Sequence, residues 1–207
     1  MGSLEATIIL IPKPAPDSPK AADFRPISLL NVDYKIWAAA IVARINPLLP
    51  TLCRATQTGF IPGRSILHNV SFNRDIIEWA ERSKTPVVVI FLDFEKAFDR
   101  VKWHYLWRVL DHLGFPAEFG IVIRALYTGL SSTLMIPGAT QVVLRPSRGV
   151  RQGCPLSPAL FALFTEPLGA LIDDLGVGGL SSPPPGCAPP GSGPPSASSH
   201  SWLAVCR

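Results

Sequence analysis

Asp93 is the residue whose setting most invites chemistry. The unbroken apolar run PVVVIFLD, residues 86–93, leads directly into its carboxylate. A carboxylate beside such a run is costly unless something neutralises it. A divalent cation would do so. Hard oxygen ligands at a strand end suit Mg²⁺, which takes one or two carboxylates plus substrate phosphates. A simple cap on the following turn accounts for the same residue without any ligand, and the spacing leaves both readings open. Glu95 and Asp99 lie close by. Glu95 pairs as readily with Lys96 in solvent, and Asp99 stands where the next helix needs a cap, so both read as structural. The four cysteines (Cys53, Cys154, Cys187 and Cys206) show no CxxC and no zinc spacing. A structural zinc site and a disulfide framework are therefore not expected.

The elements that must position these groups are visible in the periodicity. A short apolar strand over residues 7–11 ends at Pro12 and gives way to the basic, proline-rich loop PKPAPDSPK. Val32, Ile36, Ile41, Ile45 and Leu48 recur at helical spacing over 32–49, and Val70, Ile77 and Ala80 do so over 66–82. The run 86–93 lacks alternation, the pattern of a strand covered on both faces. An amphipathic helix over 103–113 points Trp103, Leu106, Leu110 and Leu113 inward and stops at Gly114 and Pro116. Another helix covers 116–130. Residues 133–136 and 141–144 flank Pro137-Gly138 as a hairpin, and Ser157-Pro158 opens a final helix to about 175. Irregularly mixed strands and helices predict an α+β fold.

Composition divides the 207 residues in two. Residues 176–207 hold seven Pro, six Gly and seven Ser with a single charge, Arg207, too little apolar surface to offset ordering entropy, so a disordered tail is expected. Function belongs to residues 1–175. Net charge is +4, compatible with a polyanionic partner but no proof of one. No window approaches the ~18 apolar residues of a membrane span, and no signal-peptide pattern opens the chain. An intracellular protein without a membrane partner is predicted.

Five ordered blocks carry a resemblance: LIPKP (10–14), FRPISLLNVDYKI (24–36), QTGFIPGR (57–64), FLDFEKAFD (91–99) and RGVRQGCPLSP (148–158). Together they resemble the reverse transcriptases of LINE-type, non-LTR retrotransposons. The resemblance implies fingers over 1–84, the first part of a palm over 85–175, and RNA-directed DNA polymerisation by two-metal nucleotidyl transfer. The expected partners are an RNA template, a DNA primer and deoxynucleoside triphosphates, with Mg²⁺ as cofactor. Asp93 takes the role of the catalytic, metal-binding aspartate, and the backbone carbonyl of Phe94 adds a metal ligand. Phe98 falls where the family places the ring under the incoming sugar. Lys13 and Arg25 match finger residues that touch the triphosphate, Arg as a planar fork and Lys as a point charge. Gln152 and Gly153 match the second palm motif, beside the sugar and base. Arg64 lies in a template-side finger segment. Arg148 and Arg151, with Arg145, Lys84, Arg100 and Lys102, would contact phosphates along the duplex.

The resemblance also implies an aromatic-Ala-Asp-Asp turn some tens of residues after Gly153. The only Asp-Asp pair, Asp173-Asp174, lies inside the predicted final helix and reads as its polar end. The second set of catalytic aspartates and the thumb are missing from this sequence, and one carboxylate does not hold two Mg²⁺ ions against their mutual repulsion. A truncated or frame-shifted retroelement product, inactive alone, is therefore expected. The alternatives are a non-catalytic nucleic-acid-binding remnant, or an interaction protein whose proline-rich tail docks partner domains.

Overall fold

A computed structural model describes residues 4–13, 23–136, 138 and 141–175, with two short strand pieces at 179–180 and 200–201. Strand β1 (Glu5–Pro12) pairs antiparallel with β2 (Phe24–Leu30), from Ala6 opposite Leu30 to Pro12 opposite Phe24. Strand β3 (Ser131–Leu134) lies parallel to β1, and β4 (Val142–Leu144) antiparallel to β3. The sheet order is β2-β1-β3-β4. Six helices accompany it: α1 (Val32–Ile45), α2 (Leu49–Leu52), α3 (Ile66–Ser83), α4 (Trp103–His112), α5 (Ala117–Tyr127) and α6 (Ser157–Asp174). The mixture of helices and a mixed sheet agrees with the α+β expectation. A further antiparallel pair, β5 (Gly179–Leu180) with β6 (His200–Ser201), falls within the segment expected to be disordered. The rest of that segment lies outside the described residues, as does most of the proline-rich loop after Lys13.

The chain forms two compact units, interleaved in sequence. The first comprises residues up to Ile45 and Lys96–Phe164; the second comprises Asn46–Glu95 and the residues from Thr165 onward. The first unit holds the four-stranded sheet. Its core is built from Ala6 and Leu30 of the sheet, Tyr34, Ala38, Ile41 and Ile45 of α1, Leu106 and Leu110 of α4, Ile123 of α5, and Leu156, Leu160 and Leu163 at the start of α6. The second holds α2, α3, the segment that follows α3, and the last turns of α6.

Strand β2 was not legible in the sequence, because Pro26 argues against a strand interior. The proline is tolerated here since β2 lies at the edge of the sheet, where a missing ladder donor costs least.

Three expectations need correction. The apolar run 86–93 is extended but belongs to no strand among the described residues, and Val88, Ile90 and Phe91 are 85%, 66% and 62% exposed. A buried strand needs neighbours for its backbone and for both faces. The four strands of the sheet come from elsewhere in the chain and pair with one another. In α3, Val70 and Ile77 face solvent and Ile76 is the buried residue. In α1 the buried stripe is Tyr34, Ala38, Ile41 and Ile45, while Val32 and Ile36, expected inside, are exposed, as is Leu48 beyond the helix.

Candidate nucleotide and nucleic-acid site

The segment around Gln152 is held by named partners on two sides within the first unit. Lys96 adopts a left-handed φ of 51° and turns the chain into a short 3₁₀ turn, Ala97–Arg100. Two backbone bonds fasten the later loop to that turn: Gly149 N–H donates to the Val101 carbonyl at 2.7 Å, and Val150 N–H to the Phe98 carbonyl at 2.8 Å. The Trp103 indole N–H donates to the Gly149 carbonyl at 2.8 Å. Glycine is required at position 149. Its φ is +94°, and a Cβ would lie 3.1 Å from the Asp99 carbonyl oxygen.

Gln152 and Gly153 then meet β2. Ser28 N–H donates to the Gln152 carbonyl at 2.8 Å. Gly153 has φ +104°, and a Cβ there would come within 2.7 Å of the Ser28 carbonyl oxygen, so any side chain forces the two backbones apart. The Gln152 amide reaches Asp99 Oδ1 at 3.4 Å, a long contact that fixes the direction of the amide. Strand β2 also carries Arg25, exposed opposite Ile11 at the far end of the β1–β2 hairpin. Lys13 N–H closes that hairpin on the Asp23 carbonyl at 2.7 Å. Phe98 is half-buried, its ring centroid 5.1 Å from that of Phe161. The first unit therefore carries Lys13 and Arg25 on the β1–β2 hairpin, Gln152 and Gly153 on the loop seated against it, and Phe98 on the 3₁₀ turn to which that loop is fastened.

Arg151 is placed differently from the phosphate contact expected of it. It is buried, donates through Nη2 to the carbonyls of Leu4 at 2.6 Å and Ser131 at 3.1 Å, and lies over the Tyr34 ring at 5.3 Å. Burial lowers its pKa and pushes that of Tyr34 up. Its guanidinium ties the starts of β1 and β3 to α1 and is withdrawn from any surface that a phosphate reaches. Arg148 is exposed.

The second unit contains Asp93, Phe94 and Arg64. Asp93 is exposed at the end of the extended run. Phe94 lines a small cavity of about 30 Å³ with Arg54, Gln57, Glu166 and Gly169. Arg64 is the hub of the α2–α3 connection. Its Nη1 donates to the Gln57 carbonyl at 2.7 Å and also to that of Arg54, and its Nη2 donates to Pro50 at 2.7 Å and Cys53 at 3.1 Å. Beside it, Arg54 binds α6. Its backbone N–H donates to Glu166 Oε1 at 3.1 Å, and its Nη1 meets Asp173 Oδ2 at 2.8 Å. Burial raises the Glu166 pKa, with Arg54 opposing. Burial likewise pushes the Cys53 thiol up to about 12, so it is protonated and unreactive near neutrality. Neither the contacts of Arg54 with Glu166 and Asp173 nor the Asp99–Gln152 contact has a signal in the sequence, since each joins residues far apart in the chain. Asp173, read as a polar helix end, is the partner of Arg54.

A family profile described as reverse transcriptase (RNA-dependent DNA polymerase) matches residues 11–177. The chain belongs to the reverse transcriptase family. Relatives extend the match. This reverse transcriptase domain is 37% identical over 167 residues to the transposon TX1 149 kDa protein of Xenopus laevis, which covers 81% of the chain and 13% of the relative. It is 32% identical over 160 residues to a retrovirus-related Pol polyprotein from the R2 retrotransposable element of Nasonia vitripennis, covering 76% and 15%. It is 30% identical over 166 residues to a probable RNA-directed DNA polymerase from transposon BS of Drosophila melanogaster, covering 79% and 18%. These are non-LTR retrotransposon proteins, and the chain spans less than a fifth of the length of each.

Among the described residues no three His, Cys, Asp or Glu side chains gather, so the donors present do not fit a two-metal centre. No helix among them is long and apolar enough to cross a membrane.

Proposed function

We propose that this chain is the nucleotide- and template–primer-binding portion of an RNA-directed DNA polymerase, with fingers over 1–84 and the first part of a palm over 85–175. The observation that carries this reading is the close seating of Gly153 on Ser28, which joins the Gln152 loop to the strand carrying Arg25. Arg25 and Lys13 would take the triphosphate, Phe98 and Gln152 the sugar and base, and Arg148 the duplex phosphates. Asp93, with the Phe94 carbonyl, would hold one Mg²⁺. Because the donors among the described residues do not complete a two-metal centre, the chain alone is expected to bind template–primer and nucleotide without extending the primer.

The test uses a labelled RNA template annealed to a DNA primer, with Mg²⁺. Binding should weaken steeply with salt and tighten in the presence of the next complementary deoxynucleoside triphosphate. Arg25→Ala should remove the nucleotide effect and spare the duplex affinity. Binding that ignores both salt and nucleotide overturns the reading. Salt-sensitive binding without a nucleotide response favours a non-catalytic nucleic-acid-binding remnant. Primer extension abolished by Asp93→Ala would refute inactivity of the isolated chain.

A further inference from the structure

We propose that the outward face of α1 is a self-association surface, on which a second copy of this chain docks with its own α1 antiparallel. At about 3.6 residues per turn, the side opposite the buried stripe presents Val32, Ile36, Ala39, Ala40 and Ala43, all exposed. Val32 and Ile36 are 68% and 62% exposed, and Trp37 on the flank is 66% exposed. A helix apolar on its inner and outer sides alike is ordinarily covered on both.

The pattern along the stripe selects the occupant and its direction. The large residues, Val32 and Ile36, occupy the N-terminal half, and the small ones, Ala39, Ala40 and Ala43, the C-terminal half. Antiparallel pairing about a twofold axis level with residues 37 and 38 sets large against small: Val32 meets Ala43 of the second copy and Ile36 meets Ala39 and Ala40. Such alternation allows close approach. Parallel pairing would set large against large. The charges agree. Asp33 and Arg44 are exposed, lie on the same flank about three turns apart, and form no ion pair with a described residue. In the antiparallel arrangement same-flank positions face each other, so Asp33 meets Arg44 of the second copy twice over. In the parallel arrangement the flanks that carry them lie on opposite sides of the contact, and neither charge finds a partner there. A twofold contact of this kind closes on itself. One 14-residue helix buries less than a standard interface, so a dissociation constant on the order of 100 µM is expected.

The experiment is sedimentation equilibrium of the purified full chain from about 5 to about 500 µM, a range that brackets this affinity. The average mass should rise from 22.4 kDa towards twice that value. Ile36→Glu should hold the chain monomeric. Asp33→Arg or Arg44→Asp alone should each weaken association about tenfold, and the two together should restore it. All three positions are exposed, so circular dichroism should keep the native spectrum, and melting should fall only slightly where the charge exchanges oppose the helix dipole, which separates misfolding from lost association. A monomer at every concentration overturns the proposal and assigns this face to another partner. Association that survives Ile36→Glu but disappears in Val88→Lys also overturns it, and places the contact on the exposed run instead. Failure of the double charge exchange to restore association refutes the antiparallel geometry.

Discussion

The loop at residues 149–153 and the run at 86–94 make opposite use of their sequences. The loop is polar and glycine-containing, yet each of its residues is held by a named partner. The run is rich in β-branched residues that favour strands, yet it is extended and exposed, and pairs with no strand among the described residues. Backbone chemistry explains the contrast. A glycine at positive φ pressed against another backbone is complete in itself, whereas a strand exists only when a neighbour supplies the other half of its ladder. The residue that most invites chemistry, Asp93, ends the less supported of the two segments.

The contrast can be broken at the loop. Gly153→Val must leave the left-handed region and displace Ser28, and should cost roughly 3 kcal/mol or more. Chemical denaturation measures it, and an unchanged midpoint would show that the seat yields easily. Next is the second unit's own anchor. Arg64→Ala leaves four carbonyls without their donor and should destabilise by roughly 2 kcal/mol. Arg64→Lys should recover little, since an ammonium does not span the same acceptors.

The run predicts the reverse pattern. Val88→Lys with Ile90→Lys replaces exposed side chains, so the melting temperature should move by only about 1–2 °C, while aggregation on storage, followed by light scattering, should slow markedly. A large loss of stability would mean that the run is packed after all.

The smallest effect concerns Glu166. Its folded pKa is raised, so its neutral form is favoured on folding. This contribution is fully present below the unfolded carboxyl pKa and fades as pH rises through the raised value. Glu166→Gln should flatten the stability profile across that window while leaving the Arg54 backbone N–H an acceptor. A profile that keeps its slope in the variant would assign the pH dependence to another group.

How much of this was legible before the structure differs by element. The β1 strand, the hairpin of β3 and β4, and helices α1, α3, α4, α5 and α6 follow from local periodicity and punctuation, which tertiary packing leaves alone. Which face of α1 and α3 is buried does not follow, because both helices carry apolar residues on more than one side. The site divides the same way. Gly153 and Gln152 were visible as a motif, but their dependence on Ser28 and Asp99 joins distant parts of the chain. Arg151 shows the limit clearly. As a sequence it is one of several cations beside a glycine turn, and only its burial against the Tyr34 ring separates it from Arg148.

We infer that the hairpin carrying Arg25 and the loop carrying Gln152 form one nucleotide-binding seat. Its most direct measurement is the affinity of the purified chain for an RNA–DNA template–primer, with and without the complementary deoxynucleoside triphosphate, by fluorescence anisotropy. The nucleotide should tighten binding about tenfold, equivalent to about 1.4 kcal/mol, and Arg25→Ala and Gln152→Ala should each abolish that gain while leaving the duplex affinity in place. Equal affinities with and without nucleotide in the unaltered chain would contradict it.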